Sequence, residues 1–192
     1  MRICVFTGSS QGRRPEYAAA ATELAAALLA RRIGLVYGGA HVGLMGLVAD
    51  AVIAGDGEVI GVIPEALVAK EVAHTGLPDL RIVASMHERK ALMSDLSDGF
   101  IAMPGGIGTF EEFFEVLTWA QLGLHRKPCG LLNVAGYYDG LLMFLDHAVG
   151  QGFLRTEHRA MILVSDDAND LLDQMGTWQP PVVAKWIDRV AR

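Results

Sequence analysis

The 192-residue chain is 52% hydrophobic, 20% charged and 7% aromatic, enough to bury a sizeable core in one domain and too apolar for a disordered chain. Its formal net charge of −6 offers no basic field to a nucleic-acid backbone, so no polymeric DNA or RNA is expected as a partner. The longest apolar stretch, 17–30, is broken by Glu23 and followed by Arg31 and Arg32, and residues 1–6 run straight into a Gly-Ser loop, so the chain is expected to be cytoplasmic, without a membrane partner.

In chain order, short apolar runs alternate with helical patterns. Residues 3–6 read as the first strand, and Pro15 and Glu16 open an Ala-rich helix to about Arg32, since proline suits the first helical turn and an acidic side chain its positive end. A strand at 35–37 leads through the loop 38–43 into a helix over 44–54 that stops at Gly55-Asp56-Gly57, and Pro64 ends a third strand at 59–63. Gly76 and Pro78 interrupt 65–80, which reads as a short helix and a loop before a strand at 81–83. Ser85 caps a helix to about Leu96, 100–103 is a strand, and Pro104-Gly105-Gly106-Ile107-Gly108 leads into a helix from Thr109 to about Leu122. Strands at 129–132 and 161–164 and helices at 137–149 and 167–175 complete a domain over 1–178, followed by an appendage over 179–192. Such alternation predicts a single-domain α/β fold of three layers, Rossmann-like, around a doubly wound, mostly parallel sheet.

In an open α/β sheet, ligands sit outside the carboxyl ends of the strands. That rule singles out the loops 7–14, 38–43 and 104–108, all three glycine-rich. Glycine lets a backbone approach a ligand closely, and a helix N-terminus behind it offers unpaired N–H groups to a phosphate. Gly8, Ser9, Gly38, Gly39, Gly105, Gly106, Ile107 and Gly108 are therefore candidate substrate-binding positions, with a tight turn and no ligand as the alternative for any single loop. None is a Walker loop, because no Gly-Lys-Ser/Thr follows, and none is a complete G-x-G-x-x-G.

Thr109-Phe110-Glu111-Glu112 has capping-box spacing, with Thr109 as the cap and Glu112 returning to its backbone N–H. A phosphate in the same loop would instead repel both glutamates and turn at least one towards whatever the phosphate carries, for which a sugar ring is the obvious candidate. Arg89 and Lys90 fall near the start of their helix, where cations oppose the macrodipole. They are either a solvated surface pair or call for a compensating anion. The six histidines form no H-E-x-x-H and no cluster with the cysteines, so no metal is expected, and His41 and His87 either touch a ligand or serve ordinary polar roles. Cys4 and Cys129 sit inside strand-like runs and read as buried thiols. The helix 109–122 is apolar around nearly its whole circumference, which predicts cover by a second subunit in a homodimer or by residues 180–192.

The run Ser85-Met86-His87-Glu88-Arg89-Lys90, followed by Pro104-Gly105-Gly106-Ile107-Gly108-Thr109-Phe110-Glu111-Glu112, closely resembles the Lonely Guy family, the cytokinin riboside 5'-monophosphate phosphoribohydrolases, whose hallmark is PGGxGTxxE. The likeness continues through 37–46, 61–64, 117–123 and Gly136-Tyr137-Tyr138, covering roughly residues 3 to 176. It implies hydrolysis of the N-glycosidic bond of N6-modified adenosine 5'-monophosphates, releasing cytokinin or adenine base and ribose 5-phosphate without a cofactor, by a dimer with its active site near the interface. It further implies that Arg89 and Glu112 are the essential catalytic pair, and that Glu71, Met86, Lys90, the stretch from Gly106 to Glu112 including Thr109, and Thr118 hold the nucleotide. Thr7 stands where cysteine is frequent in such proteins and Ala40 where a third glycine is usual.

The chemistry suits these residue types. N-glycosidic bonds break through an oxocarbenium-like state, which a carboxylate near the ribose stabilises, and Glu112 is the candidate. Arginine stays protonated, so Arg89 is expected to act electrostatically on the leaving base or phosphate, and no residue is assigned to protonate the base. Relatives are often labelled lysine decarboxylases, but nothing singles out Lys70, Lys90, Lys127 or Lys185 as an anchor for pyridoxal phosphate. The alternative is a nucleotide-binding or carrier module of the same fold without turnover, which would have no use for a glutamate in the phosphate loop.

Overall fold

The computed structural model describes residues 1–68 and 73–181. Within them, β1 (Arg2–Phe6), β2 (Gly34–Tyr37), β3 (Val59–Pro64), β4 (Asp79–Val83), β5 (Gly99–Ala102), β6 (Cys129–Leu132) and β7 (Ile162–Ser165) form one sheet in the order β4-β3-β2-β1-β5-β6-β7. Every pairing is parallel, where a mostly parallel sheet was expected. The helices are α1 (Pro15–Ala30), α2 (Gly43–Ala54), α3 (Glu65–Val68), α4 (Met86–Asp95), α5 (Ile107–Gln121), α6 (Asp139–Gly150), α7 (Thr156–Arg159) and α8 (Ala168–Thr177), with a 3-10 turn at Val134–Gly136.

Period-two alternation along the strands splits the core into two layers. Ile3, Val5, Leu35 and Tyr37 pack with the apolar faces of α1, α2 and α8, while Cys4, Phe6, Val36 and Phe100 pack with α4, α5 and α6. Both faces of the sheet are thereby covered, which is why its central strands are buried along their length. The chain walks outward from β1 to β4, then returns to lay β5 on the other side of β1. Right-handed crossovers place helices on opposite faces for the two directions of travel, and the crevice opens where the order reverses, between the carboxyl ends of β1 and β5. The return from β4 carries α4 back over β3, and α5 follows β5. Residues 89 and 112 thus approach one another across the switch point.

Two expectations need correction. Helix α5 begins at Ile107 with Gly106 as its N-cap, so Thr109 lies inside the first turn and caps nothing. The apolar circumference of α5 is also covered largely within the chain: Phe113, Val116, Leu117 and Ala120 are buried, and Phe110, Phe114 and Trp119 join the cluster that α4 and α6 complete. The flanking helices supply the layer that the sequence left unaccounted for. Of the appendage over 179–192, residues 182–192 lie outside the described residues, as does Glu71. Among the described residues no helix is long and apolar enough to cross a membrane.

Candidate active site

The three glycine loops meet at the switch point and are tied together by backbone. The Gly8 N–H and the Thr7 hydroxyl both donate to the Pro104 carbonyl, each at 3.1 Å, and the Leu44 N–H donates to the Gly8 carbonyl at 3.0 Å. Gly43 has φ +61°, and a Cβ there would fall 2.2 Å from the Ser9 carbonyl carbon, so only glycine lets the second loop close on the first. Gly105 is equally constrained, because a Cβ would stand 2.1 Å from the buried Thr109 hydroxyl. Gly106 and Gly108, by contrast, have open space where a side chain would be, and Ile107 between them is 82% exposed. No side chain caps α5, leaving the N–H groups of its first turn to an outside acceptor. A cleft of about 230 Å³ runs beside this turn, lined by Gly8–Gly12, Tyr17, Leu44, Gly105, Gly106 and Tyr137.

On the other side of the turn lies the charged pair. Arg89 Nη1 donates to Glu112 Oε1 at 2.7 Å, with the two side chains 8% and 11% exposed. Arg89 Nε donates to the Val62 carbonyl at 3.0 Å, at the end of β3, and Nη2 occupies the space a Cβ on Gly38 would need, 2.0 Å away. Burial pushes the Glu112 carboxyl above its ordinary range; Arg89 pulls it down, and Glu111 adds to the rise. The arrangement is a carboxylate held in a poorly solvated place by an arginine, next to a helix N-terminus that no side chain caps. Glu112 therefore makes no capping box. A near relative of that device occurs at α4, where the N-cap Ser85 hydroxyl accepts from the Glu88 N–H while the Glu88 carboxylate accepts from the Ala84 N–H, one residue before the cap.

The remaining predicted residues divide. Lys90 reaches Glu111 at 2.5 Å and Glu115 at 3.1 Å, and although burial opposes its charge, those two carboxylates hold its pKa above the usual lysine value. It is neither a solvated pair with Arg89 nor a free cation. Met86 opens α4 and is 43% exposed. Gly39, at φ +71°, is backed by Ile63 and accepts a hydrogen bond from the His74 N–H, while His74 also meets the Tyr37 hydroxyl at 3.0 Å. Thr118 stands apart: its hydroxyl donates to the Phe114 carbonyl on the exposed side of α5, roughly 13 Å down the axis from Thr109 at ~1.5 Å per residue. One chain does not bring it to the loops. His41 Nδ1 lies 3.3 Å from the Ala73 carbonyl, and His87 is exposed on α4.

Sequence reading missed Tyr137, whose hydroxyl donates to the Gly105 carbonyl, and Tyr138, whose hydroxyl donates to the Met103 carbonyl. The run Gly136-Tyr137-Tyr138 lies within the family likeness, but that likeness assigned neither tyrosine a role. Among the described residues no group of three or more His, Cys, Asp or Glu side chains could hold a metal ion.

Comparison with known proteins adds the following. A family model described as "Possible lysine decarboxylase" matches residues 45–175. A cytokinin riboside 5'-monophosphate phosphoribohydrolase from Arabidopsis thaliana is 52% identical over 93% of this chain and 82% of its own, and a probable one from Oryza sativa subsp. japonica is 54% identical over 93% and 79%. Among solved structures, the molybdenum cofactor binding protein from Rippkaea orientalis superposes with a TM-score of 0.68 at 19% identity, covering 92% of this chain and 95% of that one. The molybdenum cofactor carrier protein from Chlamydomonas reinhardtii gives 0.68 at 18%, covering 92% and 98%. At such identities the likeness is one of fold. Pyridoxal phosphate, which a lysine decarboxylase uses, needs a lysine able to lose its proton. Lys90 is held charged by two carboxylates, and Lys127 donates to the Ser94 carbonyl over the Phe100 ring, so neither fits that cofactor.

Proposed function

This chain belongs to the family described as possible lysine decarboxylase, together with relatives named cytokinin riboside 5'-monophosphate phosphoribohydrolase, and on that premise we infer that it hydrolyses N6-modified adenosine 5'-monophosphates to free base and ribose 5-phosphate. The observation that carries the reading is the buried Arg89–Glu112 pair beside the uncapped first turn of α5. A phosphate bound by the N–H groups of that turn, with the Gly8–Ser9 loop alongside, sets the ribose a short distance away. Glu112 then faces the carbon whose bond to the base breaks.

In that step the bond between the base nitrogen and C1′ breaks, a water oxygen bonds to C1′, and one water proton is lost as the base gains one. A carboxylate in a poorly solvated site is worth more against the developing oxocarbenium charge than it would be in water. Arg89 donates to Glu112 and to the Val62 carbonyl, which supports assigning it to orienting the carboxylate; direct action on the base or phosphate receives less support. Incubation of the purified protein with isopentenyladenosine monophosphate, AMP and other nucleotides, followed by chromatography of released base, tests the reading. Tight nucleotide binding with no base released would favour the carrier alternative.

A homodimer is part of the same proposal. Its support is that Thr118 shares an exposed face of α5 with Leu122, 59% exposed, and that Met143, Phe144 and Phe153 are 68%, 63% and 92% exposed on or after α6. A second subunit over this layer would cover apolar surface and offer Thr118 to a neighbouring site. Light scattering that finds a fully active monomer would refute it. A cytoplasmic location also belongs to the proposal, supported by two buried free thiols, Cys4 and Cys129.

A further inference from the structure

The three carbonyls leading into α5 are each held by a donor from another part of the chain. Met103 accepts from the Tyr138 hydroxyl at 2.6 Å, Pro104 from the Gly8 N–H and the Thr7 hydroxyl, and Gly105 from the Tyr137 hydroxyl at 2.5 Å. Tyr138, Gly8 and Thr7 are all buried, but Tyr137 is 37% exposed and lines the cleft beside the turn. The segment presenting it is strained. Ala135 and Gly136 have φ of +53° and +71°, and the turn is fastened where Asn133 donates to Asp139 at 2.8 Å and accepts from the Tyr138 N–H at 2.7 Å. A non-glycine residue in the left-handed region persists only where its surroundings enforce it.

We propose that Tyr137 is a positioning residue for the 5'-phosphate: its hydroxyl turns the Gly105 carbonyl out of the anion's path and fixes the Gly105–Gly106 peptide so that its N–H side serves the ligand. This rests on the phosphate reading of the α5 turn. In a planar trans peptide the C=O and the next N–H point in opposite directions, so holding one holds the other. Between two glycines the peptide plane rotates at little steric cost, and nothing stands within 4 Å of the place a Gly106 Cβ would take. Without the tyrosine hydroxyl the carbonyl is free to swing towards the phosphate and repel it. The ring of Tyr137, packed edge-on to Tyr17 and Tyr138 at 5.8 and 5.1 Å between centroids, supplies the rigid arm.

Tyr137→Phe keeps the ring and removes only the donor. Inhibition by ribose 5-phosphate should weaken about five- to tenfold, and KM for AMP should rise by the same factor, as the loss of one net hydrogen bond predicts. The kcat should fall less than about threefold, and inhibition by adenine, which has no phosphate, should be unchanged. Unaltered ribose 5-phosphate inhibition overturns the assignment, as does a parallel loss of adenine affinity with a lowered thermal midpoint, the mark of a merely structural tyrosine. Ribose 5-phosphate binding also separates the two layers of argument. If the wild type binds it and Tyr137→Phe weakens that binding while no base is ever released, the positioning role stands and the hydrolase reading fails.

Discussion

Replacing Glu112 by glutamine isolates the carboxylate charge from everything else in the site. The amide oxygen still accepts from Arg89 Nη1, across the 2.7 Å now spanned by Oε1, and the glycine loops are untouched. Removing a charge that stabilises an oxocarbenium-like state, or that activates water, costs about 10²–10⁴-fold, so kcat is expected to fall about 1,000-fold with KM changed less than about threefold. Stability should barely respond. Because burial outweighs the attraction of Arg89 and leaves the Glu112 pKa raised, the ionised carboxylate is less comfortable in the folded protein than in the unfolded chain, and a neutral isostere relieves that cost. Linkage then gives a sign: the stabilising contribution of the Glu112 side chain is fully present below the ordinary glutamate value of 4.5 and is lost as pH rises through the raised folded value. At neutral pH the thermal midpoint of Glu112→Gln should lie within about 2 °C of wild type or above it, and the wild type should lose ground to the variant as pH climbs from about 4. Single-turnover release of base and a pH series of thermal melts make the check. A variant turning over within about threefold of wild type would return Glu112 to a structural role.

Arg89→Ala should lower kcat/KM at least about 100-fold, while Arg31→Ala stays within about twofold, because Arg31 only bridges Asn169 and Asp173 at the surface; equal losses would demote Arg89 to an ordinary charge. Gly38→Ala should impair activity through Arg89 without touching substrate, since its Cβ would meet Nη2 at 2.0 Å, and Arg89→Ala in the same background should add little further loss, a non-additivity readable in a double-mutant cycle. The acid limb of the kcat/KM profile should lie above 4.5 because Glu112 keeps its proton longer than an ordinary glutamate; the pH dependence of ribose 5-phosphate inhibition supplies the reference for phosphate ionisation, and a limb that vanishes once it is subtracted would contradict the assignment. Adenosine should be hydrolysed at least about 100 times more slowly than AMP, measured by base release, and similar rates would remove the phosphate from the argument.

By itself the sequence determined the strand order along the chain, every helix but the short α7, the parallel layered architecture and the three glycine loops that meet at the switch point. Those features follow from local rules: unbroken apolar runs for strands buried on both faces, 3.6-residue periodicity for the helices, and glycines where the backbone must turn or come close. Helix ends were legible where the cap is a side chain, as at Ser85, and misplaced by two residues at α5, where the cap is Gly106 and its setting depends on distant donors. The two Ser/Thr-x-x-Glu segments show the boundary most clearly. Ser85 with Glu88 and Thr109 with Glu112 have the same spacing, yet only the first makes hydrogen bonds of the capping-box kind. What separates them is Arg89, 23 residues before Glu112, brought against it because α4 crosses back over β3 on its way to β5. Only the tertiary structure decided that pairing, the holding of Lys90 by Glu111 and Glu115, and the grip of Tyr137 on Gly105. Each is a contact between residues far apart in the chain, which no local pattern encodes, and for Arg89 and Glu112 its strength comes from the low-dielectric place the fold creates for the pair.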